Sequence, residues 1–223
     1  MQPQVGCGHS VSSSPPSAAA RARTSILAVA TTLVFPATGW AAPENVPPVV
    51  ESVCQTCHML DGNSVVPVFP KLAGQQQHYL EKQLNDWRSG KRTIDAMSAF
   101  LPQFGSADVR AIARYYAAQA RSPGTVQDPA LATRGESFYL DGNEESGVPS
   151  CEACHQWEGE GNERYPRLAG QHQAYTIKAL QDMRADVREG GIMNRIASRM
   201  TDAEIEAVAE YIAGLPGVQQ EEP

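Results

Sequence analysis

Two short runs of this 223-residue chain bring sulfur and imidazole within reach of one another: Cys54-Gln55-Thr56-Cys57-His58 and Cys151-Glu152-Ala153-Cys154-His155. A C-x-x-C-H run can ligate a metal ion, close a redox disulfide, or carry a covalently attached heme. The spacing favours heme. Two intervening residues put both sulfurs on one side of a helical turn, where each can add to a heme vinyl group, and the adjacent His58 or His155 then faces the iron.

The rivals lack parts. Structural zinc wants four ligands in a closed tetrahedron, whereas each run supplies two cysteines and one histidine. His78 and His172 could add imidazoles, but they occupy different columns of the internal repeat described below. A thioredoxin-like disulfide expects a strand and a βαβ setting, and strand-like alternation is missing from the pattern. Of the five cysteines, Cys7 lies in an N-terminal segment read as a leader, and the other four are all used by the two runs.

An iron held by histidine still has one axial position. A thioether there gives the Met/His ligation of electron-carrying cytochromes. In the first half, beyond the leader, the methionines are Met59 and Met97. Met59 adjoins His58 and cannot reach the opposite heme face, which leaves Met97. The second half has Met183, Met193 and Met200, and the repeat selects among them. Met183 matches Trp87 and Met200 matches Phe104, columns of bulky core packing, while Met193 matches Met97. The far nitrogen of a ligating histidine is normally tied to a carbonyl or carboxylate, and Pro70 and Pro166 are the candidates to offer that carbonyl. Leu72 and Leu168 would then pack on the porphyrin.

The repeat that makes these comparisons possible runs through most of the chain. "CQTCH" recurs as "CEACH" at an offset of 97, and "PKLAGQ" (70–75) as "PRLAGQ" (166–171) at an offset of 96, so one residue is missing from the intervening loop. The 96 offset then pairs Tyr79 with Tyr175, Asp86 with Asp182, Ile112 with Val208 and Tyr115 with Tyr211. Both copies read as helical. Val109, Ile112, Ala113 and Tyr116 form an i, i+3, i+4, i+7 stripe that Ile205, Val208, Ala209 and Ile212 repeat. Thr201 and Glu204 form a capping-box signature. A middle helix is predicted over about 76–88 and again over about 173–184, with each single methionine on an irregular stretch after it. "RSPGTVQDPA" (121–130), with two prolines and a glycine, suits an extended connector. The predicted organisation is a leader over 1–41, a first domain over 42–120, a linker over 121–133 and a second domain over 134–223.

Arg21 and Arg23, the apolar run 26–35 and the small residues Ala37, Gly39, Ala41 and Ala42 read as a secretory signal, and the run is too short to span a bilayer. Residues of the types AVILMFWYC make up 42% of the chain but aromatics only 7%, leaving few large rings to fill two small cores. The net charge of −7 becomes more negative when Arg21 and Arg23 are removed. Nucleic acid, which needs a basic face, is therefore not an expected partner; the acids suit either a basic protein docking site or a spread of surface charge that merely keeps the protein in solution.

With "CQTCHMLDGNS", "FPKLAGQ", "CEACH", "YPRLAGQ" and the two methionine columns in hand, the chain from about Cys54 to Leu215 resembles a tandem duplication of a class I c-type cytochrome, close to the periplasmic diheme cytochrome c-four family. The resemblance implies an all-α fold of two tandem class I cytochrome c domains with three core helices around each heme. It implies two covalently bound heme c, attached at Cys54, Cys57, Cys151 and Cys154, with axial pairs His58/Met97 and His155/Met193. It further implies a periplasmic carrier, soluble or peripherally held at the membrane, passing single electrons from a respiratory donor to a membrane terminal oxidase. No catalytic residue is expected. The alternatives are a peroxidase-like diheme enzyme and an electron-accepting subunit of a dehydrogenase. One departure stands out: where the second half has "RGESFYL", the first has only "ENVPPVVES" and lacks the long glycine-containing N-terminal helix.

Overall fold

Each apolar stripe predicted from the sequence becomes the buried face of a helix. The computed structural model describes residues 45–93 and 96–216, and the expected leader and its cleavage site lie outside them. In the first half the elements are a π-helix Val50–Cys54, a helical turn Gln55–His58, helix α1 (Gln77–Arg88), two 3₁₀ turns (Ala96–Ala99 and Leu101–Gln103) and helix α2 (Ser106–Ala117). The second half has α3 (Pro129–Asp141), a turn Glu152–His155, α4 (Gln173–Arg184), α5 (Ile192–Ala197) and α6 (Asp202–Gly214). Only isolated bridges, and no strand, occur among the described residues. Both halves lie within one compact unit.

Two parallel cores result. Val109, Ile112, Ala113 and Tyr116 of α2 close one with Leu80 and Leu84 of α1; Ile205, Val208 and Ile212 of α6 close the other with Leu180 of α4. The α6 N-terminus is capped as predicted: the Thr201 N–H donates to Glu204 Oε2 at 2.7 Å, and the Glu204 N–H donates back to Thr201 Oγ1. The methionine segments are more regular than expected, Met97 lying on a 3₁₀ turn and Met193 on the short α5.

The missing helix of the first half is a real asymmetry. In the second half α3 packs along α6 so closely that a Cβ on Gly135 would fall 1.9 Å from the Ala207 carbonyl oxygen, so only glycine fits this crossing. The first half has the π-helix in its place, and Val50, fully buried, fills the corresponding side of its core.

The connector from 120 to 128 contains neither helix nor strand, and α3 begins at Pro129 with Asp128 as its cap, accepting from the N–H groups of Ala130 and Leu131. It is fastened on both sides. Lys71 Nζ donates to the Pro123 carbonyl at 2.8 Å, and the Ser122 N–H donates to Asn63 Oδ1 at 2.8 Å. From the second half, the buried Glu210 carboxylate accepts from the N–H groups of Gln127 and Asp128.

Candidate functional site

Each C-x-x-C-H run ends in a four-residue helical turn whose final histidine is 5% exposed in both halves. The residue that follows takes a left-handed backbone, φ +62° at Met59 and +70° at Gln156, which turns the chain sharply away from the imidazole. A glycine then closes the loop. The carbonyl of Gly62 accepts from the N–H groups of Leu72 and Ala73 at 2.7 and 3.1 Å, and that of Gly159 from Leu168 and Ala169 at 2.7 and 3.0 Å. Both glycines have positive φ, +75° and +68°. The loop is thereby folded back on the histidine, and Gly74 and Gly170 tie it to the last helix through the Tyr116 and Ile212 carbonyls, at 2.9 and 3.0 Å.

The consequence is the contact expected from the prolines. His58 Nδ1 lies 2.9 Å from the Pro70 carbonyl oxygen, and His155 Nδ1 lies 2.9 Å from that of Pro166. A carbonyl only accepts, so Nδ1 carries the proton and Nε2 keeps its lone pair. Burial lowers both histidine pKa values, outweighing the opposing pull of the proline carbonyls, so both rings are held neutral as metal ligation requires. Phe69 and Tyr165 flank the rings at centroid distances of 6.2 and 5.9 Å.

The carbonyl after each histidine is anchored by a tyrosine of different origin. Tyr116 of α2 donates to the Met59 carbonyl at 3.3 Å, whereas Tyr139 of α3 donates to the Gln156 carbonyl at 2.7 Å. The column of Tyr116 holds Ile212 in the second half, which has no hydroxyl, and α3 supplies the replacement. No comparison of the two copies in register could have paired them.

Cys54, Leu72 and Met97 pack against the first core, and Cys151, Leu168 and Met193 against the second, so each half brings a cysteine, a leucine and a methionine to one apolar surface. Met59 is exposed; Met200 is buried and Met183 partly buried, both packed in the second core. No disulfide joins the four cysteines of the two runs. Burial pushes Cys54 up to about 11 and Cys151 up to about 12, values unsuited to the poised thiolate of a redox disulfide.

Among the described residues no cluster of three or more Cys, His, Asp or Glu side chains converges to hold a metal, and His172 is committed elsewhere, its Nε2 donating to the Ser64 carbonyl at 2.8 Å. A four-ligand zinc site therefore has no donor set here. A heme fits the residues better. Each half offers a neutral, oriented imidazole, two cysteines in the same run, and a methionine that packs, with the first of those cysteines, against the apolar core. In the first half, buried Trp87 Nε1 and Ser98 Oγ also have no partner from the chain.

Sequence reasoning missed the residues that join the halves. Gln76 Nε2 donates to the Glu160 carbonyl at 2.9 Å, and His172, its counterpart in the repeat, makes the equivalent reach to Ser64. Gln75 pairs with Arg167 and Gln171 with Lys71, and an antiparallel bridge joins Arg92 to Arg188. The available signal was that polar residues kept register between the copies at positions where a solvated surface would have let them drift.

Comparison with known proteins adds the following. Two family models match, one described as "Cytochrome c" over residues 132–216 and one as "Cytochrome C oxidase, cbb3-type, subunit III" over residues 41–115. Cytochrome c4 of Thiocapsa roseopersicina is 41% identical over 169 residues, covering 73% of this chain and 87% of that protein. A thiosulfate dehydrogenase electron acceptor of Thiomonas intermedia is 36% identical over 201 residues, covering 86% of this chain and 91% of that protein. The crystal structure of reduced recombinant cytochrome c4 from Pseudomonas stutzeri superimposes with a TM-score of 0.70 at 41% identity, covering 74% of this chain and 94% of that one. Two cytochrome c domains, each with its C-x-x-C motif, mean two covalently bound heme c.

Proposed function

The chain belongs to the cytochrome c4 family of electron-carrying diheme cytochromes, and from that premise we propose how its residues are divided between the two hemes. Cys54 and Cys57 would hold the first covalently, with His58 and Met97 as ligands to its iron; Cys151 and Cys154 would hold the second, with His155 and Met193. The bound iron supplies a one-electron ferric/ferrous couple. The protein's part is to fix the imidazole through the proline carbonyl, to keep water from the ligands, and to present a thioether that favours the reduced state. The observation that carries this reading is the pair of matching contacts, His58 to Pro70 and His155 to Pro166, both 2.9 Å, each leaving Nε2 for the iron.

On the same reading residues 42–120 are the first domain, 121–128 joins it to the second, which begins with α3 at Pro129, and 1–41 is a leader directing the chain to the periplasm. Among the described residues no helix is long and apolar enough to cross a membrane. The donor is a respiratory protein and the acceptor a membrane-bound terminal oxidase. Charge supports a basic partner at the second domain, since residues 121–216 carry nine basic and sixteen acidic side chains against seven and six over 45–120. Mass spectrometry of proteolytic peptides tests the attachment: heme mass on the peptide containing Cys54 and Cys57, and on that containing Cys151 and Cys154, is expected. A peptide of either kind free of heme contradicts the assignment.

The relative described as a thiosulfate dehydrogenase electron acceptor supports a second reading, in which the donor is a dehydrogenase with which this chain associates. Co-purification with a catalytic chain distinguishes the two.

A further inference from the structure

The least expected group in the interior is a cation. Arg188 is 3% exposed. Its Nη2 donates to the Tyr79 hydroxyl at 2.6 Å and to Gln83 Oε1 at 3.1 Å, both from the first half, and its Nη1 reaches the Tyr175 hydroxyl of its own half at 3.4 Å. None of the three is a carboxylate: desolvation pushes the Tyr79 phenol up, while at Tyr175 desolvation is outweighed by Arg188 and Arg92, which pull its phenol down. Among the described residues no carboxylate stands within ion-pair distance. Asp182 is committed to Lys178 at 2.6 Å, and Asp186 accepts from Asn194 at 2.9 Å. Arg188 Nε has no partner at all. A guanidinium cannot shed its proton, and a buried charge without a counter-charge is strongly unfavourable.

Its position explains what could balance it. The Asp182 carbonyl accepts from the N–H groups of Val187 and Arg188, and Asn194 binds the Arg188 carbonyl at 2.9 Å and the Gly190 N–H at 2.6 Å, fastening Arg188 to the turn that carries Met193. The bridge to Arg92 places it equally against the segment that leads to Met97. Arg92, also buried, donates to the same Gln83 Oε1 at 2.7 Å and in addition stacks on Trp87 of its own half, its guanidinium 3.7 Å from the ring centre. Arg188 thus lies where both methionine-bearing segments meet, held by side chains of both halves. Given two hemes, the anions that arrive with them are the heme carboxylates.

We propose that Arg188 is a charge shared by the two redox centres: contributed by the second half and clasped by the first, it is the counter-charge of a heme carboxylate and makes both irons easier to reduce. A fixed positive charge in a poorly screened interior opposes the extra positive charge of ferric iron, and its reach does not stop at the boundary between the halves. The inference rests on the diheme reading above. Arg188 is a positioning and tuning residue, in contact with neither iron.

The test is an optical redox titration of the purified diheme protein and of Arg188→Gln, Arg188→Lys and, as a surface control, Arg134→Gln. Arg188→Gln is expected to retain two hemes and the methionine-to-iron band, and to move both midpoint potentials downward by an amount that persists at high salt. Arg188→Lys, which keeps the charge, is expected to restore most of the shift, and the exposed Arg134→Gln to produce a smaller effect that salt abolishes. Potentials unmoved in Arg188→Gln, a shift in one heme only, or no recovery in Arg188→Lys overturns the proposal. A wild-type protein with one heme overturns the diheme reading instead. Should Arg188→Gln fail to accumulate, Tyr79→Phe removes a contact from the first half and is expected to lower at least one potential; two unmoved potentials overturn the proposal.

Discussion

The side-chain amide of Gln171 holds the backbone of Lys71 at both ends, Oε1 accepting from the Lys71 N–H at 2.9 Å and Nε2 donating to the Lys71 carbonyl at 3.0 Å. Gln75 does the same to Arg167, at 3.0 and 2.9 Å. Lys71 and Arg167 are counterparts in the repeat, as are the two glutamines, so the halves meet as the subunits of a symmetric dimer would, each patch facing its own copy. The same loops carry Pro70 and Pro166. The interface and the two histidine supports are therefore built from one pair of segments.

Replacing Gln171 by alanine strands the buried Lys71 N–H and leaves the Lys71 carbonyl only Arg167 Nη2, 3.4 Å away. Each unsatisfied group costs about 1–3 kcal/mol, so Gln171→Ala is expected to lower unfolding free energy by about 2 kcal/mol or more. Gln75→Ala is expected to cost less, because the Arg167 N–H keeps Gln76 Oε1 at 2.8 Å, and the double variant to unfold in two separate steps as the halves lose their grip. Guanidinium unfolding followed by heme absorbance measures this. Unchanged midpoints in the single variants would show that the clasp contributes nothing.

Gly135→Ala tests the crossing of α3 on α6. The added methyl would meet the Ala207 carbonyl oxygen at 1.9 Å, backbone against backbone, with no side chain free to move aside. Overpacking of a tight contact costs about 1–3 kcal/mol or more, and separation of the helices would also draw Tyr139 away from the Gln156 carbonyl. Thermal unfolding should show the loss, and the spectrum of the second heme should be perturbed while the first is not. Wild-type stability would mean that the helices do not approach this closely.

Glu204 gives a pH dependence. Partial burial pushes its pKa up, but hydrogen bonds from the Thr201 N–H, the Asn143 amide and the Thr201 hydroxyl outweigh this and hold it below the ordinary carboxylate value. The folded value being the lower one, the unfolded chain takes up the proton first as pH falls. The stabilisation is present above the unfolded value of about 4.3 and is lost as pH falls through the folded one. Glu204→Gln should therefore unfold at lower temperature than wild type at about pH 6, with the gap closing towards about pH 3. A gap independent of pH would contradict the role given to the carboxylate.

Much of this was readable before any coordinates. Helices α2 and α6 followed from their apolar stripes, the capping box at Thr201 from two residues, and the proline carbonyls from what a ligating histidine needs. These are local or periodic signals. The left-handed residues after the histidines were not readable, because Met59 and Gln156 carry none of the marks of positive φ. Nor was the exchange of Tyr116 for Tyr139, which depends on a helix that only one copy has. The interface was half visible: Gln75/Gln171 and Arg92/Arg188 kept register, but a preserved polar residue looks the same in sequence whether it faces solvent or another domain. His172 illustrates the cost, since it was weighed as a zinc ligand and is bonded to Ser64.

The methionines offer a separable test of ligation. Met97→Ala and Met193→Ala should each abolish about half of the methionine-to-iron charge-transfer absorbance and lower the potential of one heme while leaving the other, because a thioether at the sixth position raises the potential. Loss of the whole band in either variant would contradict independent ligation.

The central claim is that one chain holds two hemes, each between a histidine and a methionine, and passes one electron at a time through each. An optical redox titration of the purified protein with heme quantitation tests it most directly. Two hemes per chain, two one-electron steps and a methionine-to-iron band from both irons are predicted. One heme per chain, or a band from a single iron with ready cyanide binding at the other, would contradict it.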